Sequence, residues 1–341
     1  MTALGRATRN AHLWLPGYVA ARLRRGEGAR PQRVWVAIAD HFEPRWNGAD
    51  EATARERVAR WRKAWPEIAA RHSDSAGRPP QYTFFYPQEE YGPALLDPLA
   101  ELRDLGVADV DVHIHHDGEG ERNFLERMCS FIETLSARHG LLRKDRGRTV
   151  FGFIHGNWAL DNARPDGRWC GLNNELTLLR DLGCYADFTL PAVPDPSQAG
   201  PVNRIYWATD DPARPRSHAS GEPVEPGRIG SGDLLMIPGP LGLDWTGRRA
   251  WKPRIDTGEL GANAGPGPHR VRLWLRVAPR LGSDVFVKLY AHGAQERHLC
   301  LLEGDLDRLF TDLRRECAER DLDLRYVTAW EMRQAVARAA A

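Results

Sequence analysis

Residues 107–120 read VADVDVHIHHDGEG, and the fold follows from how this stretch is read. Val110, Val112 and Ile114 fall on one side of an extended chain and Asp109, Asp111, His113 and His115 on the other. The period is two, and the polar face gathers ionisable groups at its end. Behind it Phe124, Leu125, Met128, Phe131, Ile132 and Leu135 repeat at helical spacing, and Gly140 supplies a stop. A strand that ends in polar groups and hands over to a helix is the repeating unit of a parallel sheet covered by helices.

The same unit recurs on both sides. Upstream, RVWVAIA (33–39) is an apolar, β-branched strand ending at Asp40, followed by a helix over 50–71, a strand QYTFFYP (81–87) and a helix around Leu95, Leu96, Leu99 and Leu102. Downstream, strands are expected at 149–154, 185–190, 204–208, 233–237 and 284–291. A helix carrying Leu306, Leu309, Phe310, Leu313 and Cys317 then leads into LRYVT (324–328) and a last helix from Ala329. Residues 270–278 fit both strand and helix templates. Residues 191–232 and 239–269, rich in Pro and Gly, read as long loop excursions. The expectation is one α/β domain over 33–341, its parallel sheet either closed as a barrel or doubly wound.

Lys and Arg number 47 against 46 Asp and Glu, a balance that creates no field for nucleic acid or an acidic polymer. The exception is an arm at 1–32. Up to Arg33 the chain has seven arginines (Arg6, Arg9, Arg22, Arg24, Arg25, Arg30, Arg33) and one acid, Glu27, around Leu13, Trp14, Leu15, Tyr18 and Val19. Such an arm suits the surface of an anionic membrane; the alternative is a solvated tail that packs a few apolar groups on the body. Pro16 and Gly17 interrupt it, so it does not read as a secretory signal, and no apolar run is long enough to span a bilayer. Cys129, Cys170, Cys184, Cys300 and Cys317 are odd in number and lack a CxxC pair, which points to reduced thiols in a cytoplasmic protein, if need be at the inner face of the membrane.

The ionisable groups collect where strands end: Asp40, His41 and Glu43; His113, His115, His116 and Asp117; His155, Asn157 and Asp161; Asp187; and His292. In parallel α/β folds that edge carries function. His113 and His115 share a strand face, and Asp117 lies four residues past His113. With Asp40 they make a mixed His/carboxylate set suited to a divalent metal, Zn2+ first, with Mn2+, Co2+, Ni2+ or Fe2+ as alternatives. The competing reading is a hydrogen-bonded polar rim. Asp40, His41 and Glu43 are candidates for a general base, and His292 for a general acid. His155, Asn157, Trp158 and Asp161 combine an aromatic face with donors and acceptors, as a sugar requires, although Trp158 equally fits core packing.

At these residues the sequence resembles the polysaccharide deacetylase (NodB-homology) superfamily. ADHFEP (39–44) stands where that family has its Asp motif, DVDVHIHHD (109–117) where it has its His motif, and VKLYAH (287–292) where a late strand ends in a catalytic His. LLRDLGCYADFTLP (178–191) and LRYVTAWEM (324–332) resemble later family segments in the same order. The chain departs from the pattern at His41, where the family has a second acid, and at Asp117, where it has a second histidine. The resemblance implies a single (β/α)7-like barrel of the glycoside hydrolase/deacetylase type. It also implies removal of an acyl group from an N-acyl sugar or polysaccharide precursor, by attack of a metal-bound water. A carbohydrate-binding barrel without turnover and a glycoside hydrolase are the alternatives.

Overall fold

The computed structural model describes residues 9–24, 29–228, 230–246 and 253–341. Arg6, Arg25 and Glu27 of the basic arm lie outside them. Within the arm, Ala11–Arg24 form α1, which runs through Pro16 and buries Trp14 and Tyr18 against Val202 and Leu241.

The body alternates β1 (Arg33–His41), α2 (Glu51–Ala70), β2 (Tyr82–Pro87), α3 (Pro93–Asp104), β3 (Ala108–Ile114), α4 (Glu121–Glu133), a short β4 (Arg143–Asp145), β5 (Arg148–His155), α5 (Glu175–Leu182) and β6 (Cys184–Asp187). Small strands follow: β7 (Tyr206–Ala208), β8 (Glu222–Pro223), β9 (Leu234–Met236), β10 (Gly242–Asp244) and β11 (Arg254–Asp256). The chain closes with α6 (Pro268–Val277), β12 (Arg280–Leu281), β13 (Asp284–Ala291), α7 (Asp305–Ala318), β14 (Asp323–Tyr326) and α8 (Ala329–Ala340). The segment that fitted both templates is helical, α6, with Val271, Leu273, Trp274 and Leu275 buried.

Among the described residues, twelve strands form one large, mostly parallel sheet along the path β12-β13-β1-β2-β3-β5-β6-β9-β7-β8, with β14 on β1 and β4 on β5. Of the expected (β/α)7-like barrel, the α/β layering and the large parallel sheet are present, and a closed barrel of seven strands is not shown. The ladder has two ends, and β7, β8, β12 and β4 run antiparallel to their neighbours. The sheet is nevertheless strongly curled. Lys288 on β13 donates to the carbonyls of Phe188 and Leu190 just past β6, each at 2.7 Å. In a flat sheet those strands would lie five spacings, roughly 24 Å, apart.

Strand alternation sorts the core. Val34, Val36 and Ile38 of β1 pack with Trp61 and Trp65 of α2, whereas Ala37 and Ala39 face the concave side, where α8 inserts Met332, Ala335 and Val336. Val110, Val112 and Ile114 of β3 go to the helix side, which leaves His113 on the concave side. The parallel strands β1, β2, β3, β5 and β13 therefore deliver their C-terminal residues to one edge.

Candidate metal centres

Among the described residues, two groups of side chains bring three or more ligand atoms within 4.8 Å of one another: Glu43, His113 and His115, and separately His116, His155, Cys170 and Glu175.

In the first group, the Nδ1 of His113 pairs with the carbonyl of Ile154 on β5 at 2.9 Å. A carbonyl only accepts, so Nδ1 carries the proton and Nε2 is left bare. That buried Nε2 has no hydrogen-bond partner and lies 3.6 Å from Glu43 Oε1. The same Glu43 oxygen is 3.2 Å from His115 Nε2. Glu89, just past β2, pairs with His115 Nδ1. Gln295 donates to the other oxygen of Glu43 at 2.9 Å. Ligands 2.0–2.1 Å from a tetrahedral ion stand roughly 3.3 Å apart, so this spacing fits a divalent cation. The supports on the far ring nitrogens are those that orient metal-ligating histidines.

Burial works against a charge on Glu43, but the adjacent imidazoles of His113 and His115 outweigh it and hold its carboxyl well below the usual range. Burial also opposes a charge on His115, yet Glu43 and Glu89 on either side raise it to about 10. His292 and His41 extend the row. Their rings are 4.8 Å apart, those of His41 and His113 are 5.0 Å apart, and those of His113 and His115 are 4.6 Å apart. Burial lowers His292 to about 4 and His41 well below its ordinary value, so both are neutral near pH 7. His115 and Glu89 are partly exposed, which leaves this group open to solvent.

Two of the expected metal ligands stand elsewhere. Asp40 shares the strand parity of Val34, Val36 and Ile38 and so faces the helix side. Its oxygens accept from Tyr82 Oη at 2.9 Å and from the Gly293 N–H at 2.8 Å. A Cβ on Gly293 would sit 2.4 Å from Asp40 Oδ2, so only glycine permits this approach. Asp117 is exposed and accepts from the Trp169 N–H at 2.6 Å. Glu43, expected as a base, lies with His113 and His115. His292, expected as an acid, is unprotonated at neutral pH and can act first only as an acceptor.

The expected sugar-binding set also divides. His155 and Asp161 are fully buried, Trp158 packs partly against the main core, and Asn157 is half-buried. Asp161 is pushed up to about 9 by burial and by Asp210 and Glu175. Asn157, Trp158, Asp161 and Asn162 all have positive φ, an unusual concentration for residues with side chains. This tight path returns the chain beneath β5. The Asp161 N–H donates to Glu175 Oε2 at 2.6 Å.

The second group lies there. His116 Nε2 is 3.1 Å and His155 Nε2 3.6 Å from Glu175 Oε1, and Cys170 Sγ is 3.4 Å from Glu175 Oε2. Burial pushes Glu175 up, but the two imidazoles more than compensate and bring it to about 2. The sequence reading placed His155 with a substrate and gave Cys170 no role. Glu175 was missed altogether, because nothing near it in the sequence marks a ligand.

A cavity of about 350 Å3 lined by Trp46, Asn47, Arg57, Gln295, Glu296 and Arg297 adjoins the first group through the Gln295–Glu43 bond. A larger one, about 530 Å3, lies between α1 and residues 200–226, and none of its lining residues belongs to either group. No protein-family model matches the chain, and no curated protein matches it.

Proposed function

We propose that the chain is a metal-dependent hydrolase that removes an acyl group from an N-acyl sugar or polysaccharide precursor. The observation that supports this most is the bare, buried Nε2 of His113, fixed in its ligand tautomer and aimed at Glu43 beside His115. A divalent ion held there, Zn2+ being the best match to two nitrogens and one carboxylate, would polarise an acyl oxygen and acidify a neighbouring water.

The protein's own groups would do the rest. His292, neutral and partly buried just past β13, takes the water proton and returns it to the leaving nitrogen. His41 lies between His292 and His113 and keeps that row of rings in register. Trp46, exposed on the rim of the neighbouring cavity, offers an apolar face to a sugar ring. A glycosidase would need two free carboxylates flanking the bond, and here Glu43 and Glu89 are both taken up by His115.

The test is metal content by elemental analysis together with acetate release from N-acetylated sugar oligomers by the zinc-loaded chain. We expect release by the parent protein, loss of turnover and of the metal at the Glu43, His113 and His115 group in His113→Ala, and retained metal without turnover in His292→Ala. Sugar affinity with no acetate from a fully loaded protein would mean a binding module instead.

No helix among the described residues is long and apolar enough to cross a membrane. On α1, however, Leu15, Val19 and Leu23 are exposed beside Arg22 and Arg24, a surface suited to anionic lipid. Co-sedimentation with phosphatidylserine vesicles that survives Leu23→Glu would remove this contact from the proposal.

A further inference from the structure

We propose that His116, His155, Cys170 and Glu175 form a second, closed zinc site that ties the loop 156–174 to the ends of β3 and β5. The four side chains come from four places: the residue pair past β3, the last residue of β5, the loop, and the first residue of α5. All are buried. Two nitrogens, one sulfur and one carboxylate complete a tetrahedral shell and leave no position for a substrate, as in structural rather than catalytic zinc sites.

The atoms are prepared for a cation. His155 pairs through Nδ1 with the carbonyl of Gly156, so its Nε2 is bare, and this atom is buried without a hydrogen-bond partner. Cys170 Sγ receives the backbone N–H groups of Asn162 at 3.2 Å and Leu172 at 3.4 Å, donors that stabilise a thiolate. Glu175 uses Oε1 towards both imidazoles, while Oε2 accepts the Asp161 N–H. A sealed set of two imidazoles, a thiol and a carboxylate is costly to desolvate without a shared charge at its centre. On binding, zinc takes the place of the thiol proton, which leaves to solvent.

The site is tested on the full chain by loading with Zn2+ or Co2+ and counting metal, with no reference to activity. We expect two equivalents in the parent protein, one in His113→Ala, and one in Cys170→Ser. Cobalt-loaded His113→Ala should show thiolate-to-metal charge-transfer absorption. In Cys170→Ser that absorption should vanish. Should Cys170→Ser fail to fold, zinc X-ray absorption on His113→Ala decides: a sulfur neighbour at about 2.3 Å supports the site. A His113→Ala protein that binds no metal, or binds it through nitrogen and oxygen only, overturns it. Failure of the hydrolase reading would appear differently, as metal without acetate release.

Discussion

Adjacent residues, His115 and His116, serve different groups at the same sheet edge. His113 and His115 share the concave face and open towards solvent with Glu43, whereas His116 turns the other way and is sealed with His155, Cys170 and Glu175. β5 shows the same split, with the Ile154 carbonyl supporting His113 and the next side chain, His155, entering the closed group. Period-two alternation at two neighbouring strand ends thus places an open and a closed group of side chains, each able to hold an ion, back to back. An open set can exchange what it binds, and a closed one can only hold it.

The largest expected break in this contrast is Glu175→Ala. It leaves two buried imidazoles and a thiol without their shared carboxylate, and should cost roughly 3–5 kcal/mol in denaturant unfolding. The open group should keep its metal. Equal destabilisation by Glu43→Ala would erase the distinction between the two sets.

Asp40 comes next. Burial pushes its carboxyl up to about 7, although Gly293 and Tyr82 oppose this, so the folded chain holds the extra proton between about pH 4 and 7. The stability of the neutral form is lost as pH rises through that window. Asp40→Asn, which does not titrate, should therefore gain stability relative to the parent by roughly 2–4 kcal/mol from pH 4 to 7. Parallel unfolding curves at all pH values would show that Asp40 is already ionised.

Gly156→Ala sharpens the comparison at the seam, because its Cβ would lie 2.3 Å from the His115 ring and 2.7 Å from the Ile114 carbonyl. We expect a cost of about 1–3 kcal/mol and weaker metal binding at the open group, whose His115 ring the new methyl meets. The last effect, proton competition, is graded with pH. His115, raised to about 10, must lose its proton to ligate, so open-site affinity should weaken about tenfold per pH unit lowered. Competition titrations between pH 6 and 8 measure this, and a flat profile would exclude His115 as a ligand.

Much of the architecture was legible along the chain. The paired strands and helices up to α4, the late β13, and α7 through α8 fall close to where periodicity puts them, because each buries a regular apolar face. The strand-end clusters were legible too, since ionisable residues interrupt apolar runs at those points. The short strand β8 lies in the stretch 191–232 that reads as a loop excursion, and β7, expected at 204–208, carries no sign of its direction. Their antiparallel pairing depends on loop paths that residue alternation does not encode.

What the sequence by itself determined is local: which stretches are strands or helices, and that histidines and carboxylates concentrate at the strand ends. Only the tertiary structure decided which of them meet. Strand parity turned Asp40 to the helix side, while chain return through residues 156–175 brought Cys170 and Glu175 beneath His155. Both outcomes depend on distances between segments far apart in the chain, and side-chain spacing along one segment carries no record of them.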